Sequence, residues 1–166
     1  MTTSTLNYLT SNATDLAPGG VEEISAPLHE LLADVFALFV KTKNFHWHMH
    51  GRNFRDYHLL LDDQSDQIYA MIDPMAERAR KLGGTTIRSI ADIARRQRIQ
   101  DSEAPSLTAE EMLTELLQGN RELTTFLRSV HEICDRHSDV ATASLIENWI
   151  DETEQRSWFL REIVES

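Results

Sequence analysis

Apolar residues recur at a helical period along four long stretches of this chain, and little interrupts them. With 6 Gly and 4 Pro among 166 residues, a turn-rich β architecture is disfavoured and long elements are favoured. In the first stretch Leu28, Leu31, Leu32, Val35 and Phe39 fall at i, i+3, i+4, i+7 and i+11, the pattern of one buried helix face. Hydrophobic residues make up 41% of the chain, enough for one domain with one substantial core.

The periodicity predicts helix A over 21–50, stopped by Gly51. Helix B runs from an Asn53 cap to Gly83-Gly84, with Arg78, Arg80 and Lys81 at the negative end of its dipole. Pro74 lies inside helix B and should kink it by freeing the carbonyl of Ala70. Helix C runs from Thr108 to His137, opened by a Thr108–Glu111 capping box. Its apolar stripe is Met112, Leu116, Leu123, Phe126, Leu127, Val130 and Ile133. Helix D runs from Ser138 to the end, with Leu145, Ile146, Trp149, Ile150, Leu160 and Ile163 inward. The 85–106 connection holds a short helix over 87–98, and its length suits a bundle with one crossover. Residues 1–20 carry only one charged side chain, Asp15, and end in Pro18-Gly19-Gly20, which predicts a flexible arm. The expectation is an all-α four-helix bundle over 21–166.

The formal net charge is -11. Such a surface repels nucleic acid phosphate and attracts cations, although solubility alone accounts for the same charge. A single Cys134 cannot form an intrachain disulfide and fits a reducing compartment. No basic segment followed by an apolar run opens the chain, and Leu31 to Val40, broken by Asp34, is too short to span a bilayer. A soluble cytoplasmic protein is expected.

The residues that carry chemistry cluster between Lys43 and Gly84. His46, His58, Asp62, Asp73 and Glu77 supply imidazole and carboxylate without thiolate, a donor set suited to iron or a similar divalent ion. An α-helix turns about 100° per residue, so Asp62 and Asp73 differ by only about 20° in phase. His58, Asp62, Asp73 and Glu77 therefore share one face of helix B. Along the axis, however, His58 and Asp73 are separated by about 22 Å. No single ion reaches both at ligand distances near ~2 Å. Either one chain carries two half-sites, or a second copy completes each site. A two-fold axis through the middle of helix B would bring His58 and Asp62 of one subunit to Asp73 and Glu77 of its mate, twice.

Spacing alone also admits ordinary surface pairs for His58 with Asp62, and for Asp73 with nearby Arg residues. His46 would join from the end of helix A. Trp47 beside it suits an electron donor to an oxidising metal, and equally a packing residue. His48 and His50 alternate with Trp47 and Met49 and read as polar surface groups near a helix end. No Glu precedes any His by three residues, so the Glu-x-x-His motif of core di-iron bundles is missing. P-loop, dinucleotide and H-E-x-x-H motifs are absent as well.

Several runs carry a family resemblance: Asn44-Phe45-His46-Trp47, Gly51-Arg52-Asn53-Phe54, His58-Leu59-Leu60-Leu61-Asp62, Asp73-Pro74-Met75-Ala76-Glu77-Arg78-Ala79 and Leu82-Gly83-Gly84. In these runs and their intervals the chain resembles the Dps family, the ferritin-like mini-ferritins that protect DNA during starvation. The resemblance extends over nearly the whole chain after the arm. It implies a hollow homo-dodecamer with ferroxidase sites at two-fold interfaces. His46, His58 and Asp62 would come from one subunit, and Asp73 and Glu77 from the other. It also implies oxidation of Fe(II), with hydrogen peroxide preferred to oxygen, and ferric mineral held in the cavity under oxidative stress. Asp135 and Asp139, at the C–D junction, would line cation pores or serve as solvated turn residues.

The chain departs from DNA-binding relatives in one respect. No Lys or Arg precedes Lys41, and the sequence ends Glu165-Ser166. Phosphate contacts dominate non-specific DNA affinity, so weak or absent DNA binding is expected. A DNA-coating protein and a non-redox shell holding zinc are the competing readings.

Overall fold

The structure is a computed structural model that describes residues 14–165. It contains α1 (Pro18–His48), α2 (Phe54–Lys81), a short α3 (Ile90–Arg96), α4 (Ala109–Arg136) and α5 (Val140–Val164), with no strand among the described residues. α1 packs along α2 and against α4, and α4 pairs with α5. The α2–α4 connection crosses the bundle and lays α3 on α1. This is the expected four-helix bundle with one crossover.

The core is the meeting of the predicted stripes. Leu28, Leu31, Leu32, Val35 and Leu38 of α1 bury against Leu61, Ile68, Met71 and Met75 of α2 and Leu116, Leu123, Leu127 and Val130 of α4. From α5, Ile146, Trp149 and Leu160 close it. Each such side chain contributes about 1.5–3 kcal/mol when removed from water. Arg156 shares their phase on α5 and is only 1% exposed. Its guanidinium is held by Asn120 Oδ1 at 2.9 Å and Thr153 Oγ1 at 2.8 Å. Burial pulls its pKa down to about 10, because a desolvated cation is costly.

A buried acid pins the crossover. Asp34, fully enclosed in α1, accepts from Arg98 N at 2.6 Å and Ile99 N at 3.1 Å, and from the Arg98 guanidinium at 2.6 and 2.9 Å. Arg98 also lies over the Phe126 ring, 3.9 Å from its centroid. The connection after α3 is thus fastened to two helices at once.

Three local expectations are corrected. Pro18, Gly19 and Gly20 form the first turn of α1 instead of ending an arm, with Pro18 at a position where its missing N–H costs nothing. The rest of the expected arm, residues 1–13, lies outside the described residues. Asn53 does not cap α2; its side chain donates to Tyr57 Oη at 3.1 Å. α2 runs through Pro74 to Lys81. Asp139, expected at a pore or solvated in a turn, is instead buried within the chain: it caps α5 through Thr142 N at 3.0 Å and accepts from Arg78 at 2.8 Å. The Thr108–Glu111 box forms as expected, and Gly51 ends the α1–α2 turn at φ 103, where a side chain would be strained.

Candidate metal centre

The imidazoles of His46 and His58 stack with ring centroids 3.8 Å apart and planes 18° from parallel. His46 lies in the last turn of α1, His58 lies in the second turn of α2, and the tight turn at Gly51 folds the two helices together. Each ring bonds the other residue's backbone. His46 Nδ1 donates to the His58 carbonyl, and His58 Nδ1 donates to the His46 carbonyl, both at 2.8 Å. A carbonyl only accepts, so both protons sit on Nδ1. In the neutral form of each ring this leaves the lone pair on Nε2, the state a metal requires.

Asp62 stands beside the pair, one turn beyond His58. Its Oδ1 lies 3.7 Å from His46 Nε2 and 2.6 Å from Lys43 Nζ. The hydrogen bond from Lys43 holds the Asp62 carboxyl below the usual carboxylate range, so it stays ionised. Lys43 was not singled out from the sequence, although it precedes His46 by three residues and so shares its face.

Asp73 and Glu77 stand exposed on the distal half of α2, with Lys81 Nζ 3.6 Å from Glu77. They do not meet the imidazole pair within one chain. Among the described residues, no three His, Cys, Asp or Glu side chains converge to hold a metal. Trp47 is 66% exposed and stacks on no other ring among the described residues. Phe54 leans on His58 at 5.1 Å, and Val40, Leu59 and Tyr69 are exposed apolar neighbours on α1 and α2.

The ferritin-like domain profile matches residues 25–166. DNA protection during starvation protein 1 of Deinococcus radiodurans is 29% identical over 144 residues, covering 87% of this chain and 70% of that protein. A low temperature-induced protein of Nostoc sp. is 32% identical over 139 residues, covering 83% and 78%. Among solved structures, Dps from Thermosynechococcus elongatus superposes with a TM-score of 0.84 at 29% identity, covering 86% of this chain and 90% of that one. DpsC from Streptomyces coelicolor gives 0.86 at 25% identity, covering 90% and 87%. The chain belongs to the ferritin-like superfamily and, within it, to the Dps family.

Proposed function

We propose that this protein is an iron-storage ferroxidase whose sites form between subunits of a hollow dodecamer. The main support is the reciprocal bonding of His46 and His58, which presents two Nε2 lone pairs beside the ionised Asp62. Asp73 and Glu77, about 22 and about 28 Å from His58 along α2 by helical rise, supply the complementary half to a mate across a two-fold axis. The exposed Val40, Trp47, Phe54, Leu59 and Tyr69 give that mate apolar surface to cover. Membership of the Dps family supports both the shell and the iron chemistry.

Fe(II) is the substrate. The imidazoles hold it while leaving positions open for an oxidant. Carboxylates from both subunits stabilise Fe(III) over Fe(II) by charge, which favours electron loss. Hydrogen peroxide accepts one electron from each of two Fe(II) ions; its O–O bond breaks and protons convert the oxygens to water. Consuming peroxide in pairs of electrons suppresses hydroxyl radical formation. Trp47, next to His46 in sequence, is assigned as a sink for stray oxidising equivalents. The acidic surface of net charge -11 draws cations in and disfavours direct DNA binding at physiological salt.

The test is stopped-flow Fe(II) oxidation with peroxide and with oxygen, on the unmodified protein and on His58→Ala, alongside the native mass. Rapid oxidation lost in His58→Ala, in a particle near the mass of a dodecamer, is expected. Oxidation unaffected by the substitution, or a stable monomer, refutes the reading.

A further inference from the structure

The imidazoles of His48 and His50 lie outside the centre described above. His46 and His48 are two residues apart on α1, about 200° apart in phase, so His48 is directed away from the His58 pair. The helix ends at His48, and Met49 adopts an extended conformation with φ -57 and ψ 141. Met49 is buried, while His48 and His50 are both exposed. Both line one open cleft of about 480 Å³, whose wall also carries Glu103.

The backbone sets the tautomer of each ring. His48 Nδ1 donates to the Asn44 carbonyl at 2.8 Å, and His50 Nε2 donates to the Leu107 carbonyl at 3.1 Å. A carbonyl cannot donate, so in the neutral rings His48 Nε2 and His50 Nδ1 carry the lone pairs. Each ring is thereby oriented by a backbone acceptor, the usual support behind a metal-binding imidazole.

We propose that His48 and His50 form a second, surface metal site, selective for borderline divalent cations such as Zn(II). Two neutral imidazoles without thiolate favour Zn(II) and Cu(II) over Fe(II). Among the described residues no three His, Cys, Asp or Glu side chains converge here, so the protein would supply two imidazoles. Water fills the remaining positions, and the Glu103 carboxylate on the cleft wall offsets the charge of the cation. The site belongs to one subunit, and its existence is independent of the iron chemistry proposed above.

The experiment is calorimetric zinc titration of the assembled protein in two backgrounds, unmodified and His58→Ala, each with and without His48→Gln plus His50→Gln. The double substitution should remove one zinc equivalent per chain in both backgrounds. Unchanged stoichiometry overturns the proposal. Loss confined to the unmodified background also overturns it, because that zinc then belongs to the His46–His58 centre. A second measurement needs no variant: zinc should slow acylation of His48 and His50 by diethyl pyrocarbonate, read by peptide mass. Modification at an unaltered rate would likewise overturn it.

Discussion

Two inactive variants of this protein should restore one another when mixed. His58→Ala removes one half of each site, and Asp73→Ala with Glu77→Ala removes the other. Asp73 and Glu77 are exposed and His58 half-buried on α2, so the fold tolerates the changes. Each variant alone should oxidise Fe(II) no faster than the solution background. Unfolded together in equal amounts and refolded, they pair at random. About half of the two-fold dimers are then mixed, and in each of these one of the two sites combines the intact imidazole half with the intact carboxylate half. Recovered peroxide-dependent oxidation should therefore approach about a quarter of the unmodified rate per chain. The number follows from the separation of His58 and Asp73 along one rigid helix, which forbids a site in a single chain. Stopped-flow absorbance of Fe(III) after co-refolding, with the separate variants as controls, measures it. No recovery above the separate variants would show that sites are completed within one subunit.

Asp34→Ala should destabilise the fold by about 3–5 kcal/mol, the usual cost of breaking a buried ion pair, because it leaves the Ile99 N–H and the Arg98 guanidinium short of an acceptor. Chemical denaturation measures it, and a loss under about 1 kcal/mol would contradict the pinning role. Thr108→Ala should cost about 1 kcal/mol in the same assay by opening the capping box with Glu111. Cys134 should resist alkylation at pH 8.5 until the protein unfolds. Burial, with Asp139 and Asp135 nearby, raises its pKa to about 12, so the reactive thiolate forms in the folded state only as the pH approaches that value. Rapid labelling of the native protein by iodoacetamide would refute this.

Much of this molecule is legible in one dimension. The helical period of Leu28 to Phe39, the Thr108–Glu111 pair and Gly51 are local signals, and local backbone physics decides them. Pro18 to Gly20 misread as loop because Pro and Gly punctuate most chains, yet Pro is welcome in a first helical turn. Asn53 misread as a cap because its amide found the Tyr57 hydroxyl, a competition that composition does not reveal. Arg156 had a signal in its phase with Trp149, Thr153 and Leu160, but a guanidinium in a core stripe is recognised only once Asn120 is seen to hold it.

The sequence by itself determined the bundle, the candidate ligand types and the distance between the two candidate clusters on α2, because helical rise and rotation are constants of the backbone. Only the tertiary structure decided the proton positions on His46, His58, His48 and His50, the tether from Lys43 to Asp62, and the burial of Asp34 and Asp139. Except for His48, whose partner Asn44 lies one helical turn back, these depend on which groups from other elements arrive within hydrogen-bond reach, and the packing of whole helices sets that.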